Sequence, residues 1–277
     1  MLDPIHIDEL ILNALKEDMP MGDITTDSII GPSSVSKGVF IAKASGIISG
    51  LDVAERVFKL LDVNIVFKKN IKDGDRVSCG DVIAEVEGST RAILKGERTA
   101  LNLLQRMSGI STKTAEFCEK VKGLPVKIVD TRKTVPGLRY LDKYAVRMGG
   151  GENHRYCLSD GVLIKDNHIK SAGSIKKAVE MVKNRIPHTV KIEVETESLD
   201  QVKEALEAGA DIIMLDNMSL DLMKEAVKLI NKRVVVEASG NVSLDNVYDI
   251  ACTGVDIISV GSLTHSVKAF DISLRFR

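Results

Sequence analysis

The sequence predicts an α/β chain in two parts, and three observations lead to that prediction. The N-terminal third carries short β-rich runs between hairpin-like turn signals, which indicate a small antiparallel sheet. Beyond it, apolar β-like runs alternate with amphipathic helix patterns, which indicates an array of parallel βα units. The length of 277 residues suits one large α/β domain or a small domain joined to a barrel-sized one.

Composition limits the classes of function. A net charge of −1 provides no general attraction to nucleic acid or anionic membrane, so we expect neither partner and look for local anion recognition. No apolar run reaches the roughly 18 residues of a membrane span, and the acidic N-terminus lacks the basic start of a signal peptide. The scattered cysteines form no CxxC pair, which is typical of free thiols in a reducing compartment. We therefore expect a cytoplasmic protein without a zinc site.

The N-terminal part begins with an amphipathic pattern that predicts a helix over residues 4–18. Two β-rich stretches follow, at residues 35–50 and 63–89, with glycine-containing turns inside each. Between them, residues 51–61 (LDVAERVFKLL) have the spacing of a helix. These elements predict an α+β domain built on an antiparallel sheet.

A long helical pattern connects the two parts. Residues 90–122 are helical in pattern, and we expect Gly109 to divide them into two helices before Gly123–Pro125 ends the second. The apolar runs that alternate with helix patterns after it are 127–130, 161–166, 189–195, 210–216, 233–239 and 255–261. Because a full eight-stranded barrel takes about 250 residues, these runs predict an incomplete or distorted barrel, or else a doubly wound sheet. No GxGxxG or GxxxxGK[ST] motif is present.

Polar residues follow these apolar runs at their carboxyl ends. They are Asp130–Thr134, Lys165–His168, Glu193 and Glu195, Asp216–Asn217, Glu237–Asn241 and Gly261–Ser262. In parallel βα folds these ends lie on one face, where such folds bind ligands. A lone arginine after a strand is usually a solvated loop residue, and His154 or His168 could each be a simple loop histidine. Six coincident clusters are much harder to explain without a functional face.

The charges at this face suggest the chemistry of a ligand. Arg132, Lys133, Arg155 and Lys165 could converge on carboxylates or phosphates. Glu195 and Asp216 suit a hard divalent metal or sugar hydroxyls. Glu193 shares a strand face with Glu195, and one or both could instead pair structurally with Lys191 or a helix lysine.

The last two strand ends suit a phosphate. Ser239–Asn241 and Gly261–Ser262 are small residues that expose backbone N–H groups, at the usual phosphate position of barrel enzymes. One face would then hold a multiply anionic ligand, a zone for metal and hydroxyls, and a phosphate pocket.

Several segments, in their order along the chain, resemble the quinolinate phosphoribosyltransferase family: GERTALNLLQRMSGIST, DTRKTVPGLRYLDKYAVRMGGGENHR, LIKDNHI, IEVE, LDN and VGSLTHS. The similarity extends from EDMPMGDITTDS to HSVKAFDISLRF. It implies an N-terminal α/β sandwich over residues 1–110, joined by the tail at 268–277, and an incomplete six-stranded α/β barrel over 111–267. It also implies a homodimer, or a higher oligomer, whose subunits share active sites.

The resemblance implies a pentosyltransferase of de novo NAD biosynthesis. Such an enzyme converts quinolinate and phosphoribosyl pyrophosphate, with Mg²⁺, into nicotinate mononucleotide, pyrophosphate and carbon dioxide. The residues that match the family's quinolinate set are Arg98, which would act across the dimer, Arg132, His154, Arg155 and Lys165. Those that match the phosphoribosyl pyrophosphate set are Lys133, Thr134, Glu195, Asp216, Ser239, Gly240, Asn241, Val260, Gly261 and Ser262. Lys133, Glu195 and Asp216 would be catalytic, and Glu195 and Asp216 would also hold the metal.

The chain departs from the family pattern at two positions. Cys157 stands where glycine is expected, and Asn241 stands where a second glycine usually follows Ser-Gly. Asn241 touches the expected phosphate loop, but asparagine tolerates the left-handed region, so we expect a modest effect on affinity. Three rivals stay open: a paralogue acting on another pyridine carboxylate, a Schiff-base aldolase using Lys133 or Lys165, and a non-enzymatic metabolite-binding protein.

Overall fold

The computed structural model describes residues 2–277. Contacts divide the chain into two compact units. The N-terminal unit comprises residues 2–115, Thr134–Gly150 and Leu263–Arg277, and the barrel unit comprises Glu116–Lys133 and Gly151–Ser262. This grouping differs from the predicted boundaries because the segment after Lys133 leaves the barrel unit and returns at Gly151.

The N-terminal unit is built on a four-stranded antiparallel sheet in the order β12-β1-β5-β3. Its strands are β1 (Val35–Ala42), β3 (Val66–Lys69), β5 (Val82–Ser89) and β12 (Ile272–Phe276). A separate pair, β2 (Gly46–Ile47) and β4 (Arg76–Val77), is also antiparallel. The predicted antiparallel sheet is thus confirmed, and the C-terminal strand β12 pairs with β1 at its edge.

Helices cover this sheet. They are α1 (Pro4–Asp18), α2 (Ile24–Ile29), α3 (Leu51–Leu61) and α4 (Thr90–Lys120). Phe40 of β1 and Phe58 of α3 are fully buried, with ring centroids 6.1 Å apart in an edge-on arrangement. Asp73 accepts hydrogen bonds from the first backbone N–H groups of α3, at Gly50 and Leu51, and so caps a helix that has no side-chain cap of its own.

The predicted break at Gly109 is wrong, because α4 runs without interruption from Thr90 to Lys120. Gly109 is needed for close packing instead. A Cβ at this position would overlap the backbone carbonyl oxygen of Lys268 and lie 3.1 Å from Val267, so only glycine lets the C-terminal segment approach the helix this closely.

Helix α5 (Arg139–Met148) packs within the N-terminal unit, and two polar contacts hold it there. Arg106 of α4 makes a bidentate ion pair with Asp142, at 2.9 and 2.7 Å, and the Asp142 side chain is fully buried. The Tyr144 hydroxyl donates to Asp73 at 2.8 Å. These contacts explain why the segment from Thr134 to Gly150 groups with the N-terminal unit although it lies between two barrel segments in the sequence.

The barrel unit contains a six-stranded parallel sheet in the order β6-β11-β10-β9-β8-β7. Its strands are β6 (Lys127–Val129), β7 (Val162–Ile164), β8 (Ile192–Thr196), β9 (Ile212–Asp216), β10 (Val235–Ser239) and β11 (Ile257–Ser259). Each coincides with a predicted apolar run. Strands β7 to β11 lie side by side in chain order, without the reversal of a doubly wound sheet, so that alternative is excluded. The barrel is incomplete because β6 and β7 are the two edges of the sheet.

Helices alternate with the barrel strands, as the alternation of apolar runs with helix patterns predicts. They are α6 (Asp166–Ala172), α7 (Ile175–Lys183), α8 (Leu199–Ala208), α9 (Leu220–Ile230) and α10 (Val247–Ala251), with α11 (Ser262–His265) after the last barrel strand. Serine caps α7, α8 and α9 through Ser174, Ser198 and Ser219. Within residues 2–277, no helix is both long and apolar enough to cross a membrane.

Candidate active site

The carboxyl ends of the barrel strands surround a cavity of about 550 Å³. Most of the predicted site residues line it: Arg132, Lys133, His154, Arg155, Lys165, Glu195, Asp216, Ser239, Gly240 and Asn241. The expectation that polar residues after different strands meet on one face is therefore correct for these positions. The cavity brings together cations, carboxylates and a small-residue loop within one unit.

Five predicted residues do not line this cavity. Arg98 and Thr134 belong to the N-terminal unit, where the Thr134 hydroxyl accepts a hydrogen bond from Nε of Arg139 at 3.0 Å. Val260 is buried, and its N–H donates to the Val129 carbonyl at 2.9 Å, while Gly261 and Ser262 follow it and lead into α11. Their predicted roles stay predictions.

The loop after β6 is held by a buried carboxylate that the sequence analysis did not select. Asp130 accepts hydrogen bonds from the His154 N–H at 2.9 Å and from Nδ2 of Asn153 at 2.6 Å. The segment before His154 also bridges to β6 in parallel, through Glu152 and Val129. Asp130 therefore fixes the loop that carries His154 and Arg155 against the first strand.

His154 lines the cavity, and its Nε2 faces two buried glutamates. Its Nε2 is 3.1 Å from Oε2 of Glu193 and 3.5 Å from Oε2 of Glu237. Its Nδ1 accepts a hydrogen bond from the Arg155 N–H at 2.8 Å. Burial alone would lower the pKa of His154, but hydrogen bonds and negative charge from the two glutamates outweigh it and raise that pKa to about 10.

The raised pKa of His154 implies an imidazolium, whereas the hydrogen bond at Nδ1 implies a neutral ring without a proton on that nitrogen. An imidazolium would carry a proton on Nδ1, where the Arg155 N–H requires a lone pair. The hydrogen bond is the firmer of the two, because the backbone fixes the direction of that N–H. The carboxyl group of Glu193 can carry this proton instead. Burial and the charge of Glu237 raise the pKa of Glu193, although the hydrogen bond from His154 lowers it. Either distribution leaves the three groups with the same total charge.

The two arginines of the cavity act on each other electrostatically. Arg155 donates from Nη1 to the Gly161 carbonyl at 2.7 Å, which fixes one end of the guanidinium. Burial, followed by the positive charge of Arg132, lowers the pKa of Arg155. Arginine nevertheless stays protonated in proteins, so the cavity holds two like charges that an anion would relieve.

Lys165 and Glu195 form an ion pair across neighbouring strand ends, with Nζ 2.7 Å from Oε2. Lys165 also precedes α6, and its N–H donates to Nδ1 of His168 at 3.0 Å. His168 therefore has a local capping role, which favours the interpretation of this histidine as structural. Lys133 is exposed, and its N–H donates to Oγ1 of Thr131 at 3.0 Å.

Asparagines join the ends of β9 and β10. Asn217 donates from Nδ2 to Asp216 at 2.9 Å, and its Oδ1 accepts from Nδ2 of Asn241 at 3.0 Å. Both asparagines have positive φ, at 53° and 50°, which asparagine tolerates better than most residues. The departure from the family pattern at Asn241 thus supplies a side-chain bond that glycine would lack. Gly240, at φ +93°, packs directly against the Asn217 amide.

The carboxylates fit a divalent cation. Glu195 and Asp216 end adjacent strands and line one cavity, and carboxylate oxygens are the ligands that Mg²⁺ prefers in proteins. The His154–Glu193–Glu237 group also brings three ligand-type atoms within 4.8 Å of one another. There, however, the Nε2 lone pair that a metal would need is taken by a proton if Nδ1 accepts from Arg155.

Four residues in or beside the cavity received no site role in the sequence analysis: Glu193, Glu237, Asn217 and Ser259. Glu193 and Glu237 are buried and bond His154, instead of the lysines suggested as partners for Glu193. The signal was available for Glu237, which lies two residues before Ser239 on the same strand and so on the same face. Ser259 Oγ is buried at the cavity without a protein partner among the described residues, and nothing in the sequence marks it.

Comparison with known proteins identifies the family of this site. Two sequence profiles match the chain: quinolinate phosphoribosyl transferase, N-terminal domain, over residues 23–108, and its C-terminal domain over residues 110–275. A relative from Bacillus subtilis (strain 168), named probable nicotinate-nucleotide pyrophosphorylase (carboxylating), is 45% identical over 273 residues, which covers 99% of this chain and 94% of the relative.

A plant relative and a solved crystal structure indicate the same family. A quinolinate phosphoribosyltransferase (decarboxylating) from Nicotiana glauca, described as mitochondrial, is 43% identical and covers 96% of this chain and 81% of its own. The crystal structure of NadC from Streptococcus pyogenes superposes with a TM-score of 0.96 at 43% identity, covering 100% of this chain and 99% of that one. The chain therefore belongs to the quinolinate phosphoribosyltransferase family.

Proposed function

We propose that this chain transfers the phosphoribosyl group of phosphoribosyl pyrophosphate to quinolinate, and that the product loses carbon dioxide to become nicotinate mononucleotide. The observation that carries the proposal is the cavity, which gathers Arg132, Arg155 and Lys165 opposite Glu195 and Asp216 in a chain of near-zero net charge. Membership of the family supports the same reaction and its place in NAD biosynthesis.

Quinolinate is a dicarboxylate, so its binding site needs more than one cation. Arg132 and Arg155 are like charges that line one cavity, and a dianion between them would offset their repulsion. Lys165 is within reach of the same space, although Glu195 neutralises it in the free protein. Three cations in one cavity favour a dicarboxylate substrate over the monocarboxylate that a paralogue would bind.

Phosphoribosyl pyrophosphate brings a phosphate, a ribose and a leaving group. We assign its 5-phosphate to the loop at Ser239–Asn241, which lines the cavity with small polar residues and glycine. We assign the ribose hydroxyls and the metal to Glu195 and Asp216. We assign the pyrophosphate to the exposed Lys133. Mg²⁺ would be held by Glu195 and Asp216 together with substrate oxygens. When bound, the ion neutralises charge on the leaving pyrophosphate.

The chemistry follows from this arrangement. The lone pair of the quinolinate ring nitrogen forms a bond to the anomeric carbon of the ribose, while the bond from that carbon to pyrophosphate breaks and its electron pair leaves with pyrophosphate. Positive charge develops on the ribose, near Glu195 and Asp216, which can stabilise it electrostatically. The bond between the ring and the adjacent carboxylate then breaks, and carbon dioxide leaves. The electron pair of that bond stays on the ring carbon beside N⁺ until that carbon is protonated. Positioning and fixed charge provide the catalysis, with no covalent enzyme intermediate.

The reaction can be tested by incubating the protein with quinolinate, phosphoribosyl pyrophosphate and Mg²⁺ while nicotinate mononucleotide and carbon dioxide are measured. We expect both products in equal amounts and little turnover when nicotinate replaces quinolinate. Equal turnover of nicotinate would favour the paralogue, and no product at all would reject the proposal. Borohydride trapping with a carbonyl substrate should leave no adduct on Lys133 or Lys165, since an adduct would indicate an aldolase.

We also infer that the active unit is a homodimer in which Arg98 completes the site of the partner. The support is that Arg98 matches the family's GERTA motif, while the cavity described here lies within the barrel unit. Mixing inactive Arg98→Ala chains with inactive Lys165→Ala chains should restore part of the activity. If subunits exchange but activity stays absent, Arg98 does not act across a dimer.

A further inference from the structure

The His154 ring has a protein partner at each of its two nitrogens. Nδ1 accepts the N–H of Arg155 at 2.8 Å, and Nε2 lies 3.1 Å from Glu193 and 3.5 Å from Glu237. Both glutamates are buried, with 6% and 2% of their side chains exposed. The ring is therefore bonded into the wall of the cavity at both ends.

These contacts determine what the ring can offer to a ligand. An imidazole nitrogen that accepts a hydrogen bond carries a lone pair, so the ring proton must reside on Nε2. That Nε2–H is directed at Glu193 and, at longer range, Glu237. Under this arrangement no ring N–H remains for a quinolinate carboxylate, although the ring borders the cavity.

What His154 does hold is the backbone of its neighbour. Its Nδ1 fixes the N–H of Arg155, and its own N–H is fixed by the buried Asp130 at 2.9 Å. The Arg155 side chain then reaches the Gly161 carbonyl at 2.7 Å. Displacing the imidazole would free the peptide from which the Arg155 guanidinium enters the cavity.

We propose that His154 is a positioning residue, which orients Arg155 for quinolinate by accepting its backbone N–H while Glu193 and Glu237 hold the imidazole in place. The inference deepens the proposed function, on which its kinetic test rests. It assigns to His154 a role different from the direct contact with quinolinate that the family resemblance implies. Glu193 and Glu237 act on Arg155 only indirectly, by holding the imidazole of His154.

A double-mutant cycle separates positioning from direct contact. We expect His154→Ala to raise the KM for quinolinate, Arg155→Ala to raise it more, and the double variant to match Arg155→Ala within about twofold. If His154 contacts quinolinate itself, the two effects multiply in the double variant, and the proposal is overturned. The Kd for phosphoribosyl pyrophosphate should stay within about twofold of the wild-type value in all three variants, because neither side chain is assigned a contact with that substrate.

Two partial replacements of the ring sharpen the test. Asparagine can place an acceptor near the position of Nδ1, whereas glutamine can place a donor near that of Nε2. His154→Asn should therefore keep a lower KM for quinolinate than His154→Gln. The reverse order would indicate that the Nε2 end of the ring binds the substrate, and would count against positioning.

A measurement on the wild-type chain does not require activity, and a variant serves only to assign the signals. In protein labelled with ¹⁵N-histidine, the His154 signals, assigned by their loss in His154→Gln, should report a neutral ring protonated at Nε2, with and without quinolinate. A protonated Nδ1, or a change of ring protonation on saturation with quinolinate, would overturn the proposal. If the enzyme makes no nicotinate mononucleotide but the ring has the expected form, the proposed function fails while the positioning of Arg155 stands.

Discussion

Gly240→Ala tests how the end of β10 is packed against the Asn217 amide. Gly240 has φ +93°, and a Cβ there would overlap Oδ1 and Cγ of Asn217 and lie 2.8 Å from its Nδ2. Two costs follow. Placing alanine in the left-handed region costs about 1–2 kcal/mol, and forcing a methyl group into an occupied space costs about 1–3 kcal/mol. We expect the free energy of unfolding to fall by their sum, about 2–5 kcal/mol.

Gly123 is a matched control for the backbone part of that cost. It also belongs to the barrel unit and has φ +87°, but a Cβ there would meet nothing within 4 Å. Gly123→Ala should therefore lower stability by about 1–2 kcal/mol only. The difference between the two variants isolates the overlap with Asn217. Adding Asn217→Gly to Gly240→Ala should recover that difference, because glycine removes the amide and accepts positive φ.

The assay is urea unfolding of each variant, combined with the KM for each substrate. Because the Asn217 amide bonds both Asp216 and Asn241, its displacement should raise the KM for phosphoribosyl pyrophosphate more than that for quinolinate. Equal destabilisation by Gly240→Ala and Gly123→Ala would refute the packing argument. Failure of Asn217→Gly to recover stability would refute the assignment of the overlap to this amide.

Three further predictions concern the rest of the chain. Arg106→Met should lower the free energy of unfolding by about 3–5 kcal/mol because it leaves the fully buried carboxylate of Asp142 unpaired. Adding Asp142→Leu should restore much of this stability, as measured by thermal unfolding. No recovery in the double variant would contradict the pairing argument. Gly109→Ala should lower the melting temperature despite a helix-propensity gain of about 1 kcal/mol, since the added methyl overlaps a backbone carbonyl; an increase would show that the C-terminal segment can shift. Burial raises the pKa of Cys118 to about 11, so little thiolate exists at neutral pH, and mass spectrometry should find the exposed Cys79 alkylated first; faster labelling of Cys118 would contradict this.

The sequence was most informative where one physical pattern has one structural outcome. Each of the six apolar runs became a parallel strand, and their polar carboxyl ends met at one cavity because parallel βα units place those ends on the same side. The helices over residues 4–18 and 51–61 followed from apolar spacing in the same way.

The sequence was least informative where a residue's role depends on distant neighbours. Gly109 has the appearance of a helix break, but the chain segment that requires it lies more than a hundred residues later, at Lys268. Glu193 reads as a surface carboxylate until His154, from a different loop, is brought to it. The grouping of α5 with the N-terminal unit likewise depends on a buried ion pair with Arg106 that no local pattern reveals.

The incomplete barrel has a consequence for self-association. A closed barrel has no free edges, whereas this sheet ends at β6 and β7, whose backbone groups could pair with another chain. Both edge strands are only three residues long, and a parallel bridge from Glu152 covers part of β6. Short, partly covered edges offer few consecutive hydrogen-bonding groups to an incoming strand. The short edge strands of the incomplete barrel therefore limit edge-to-edge aggregation.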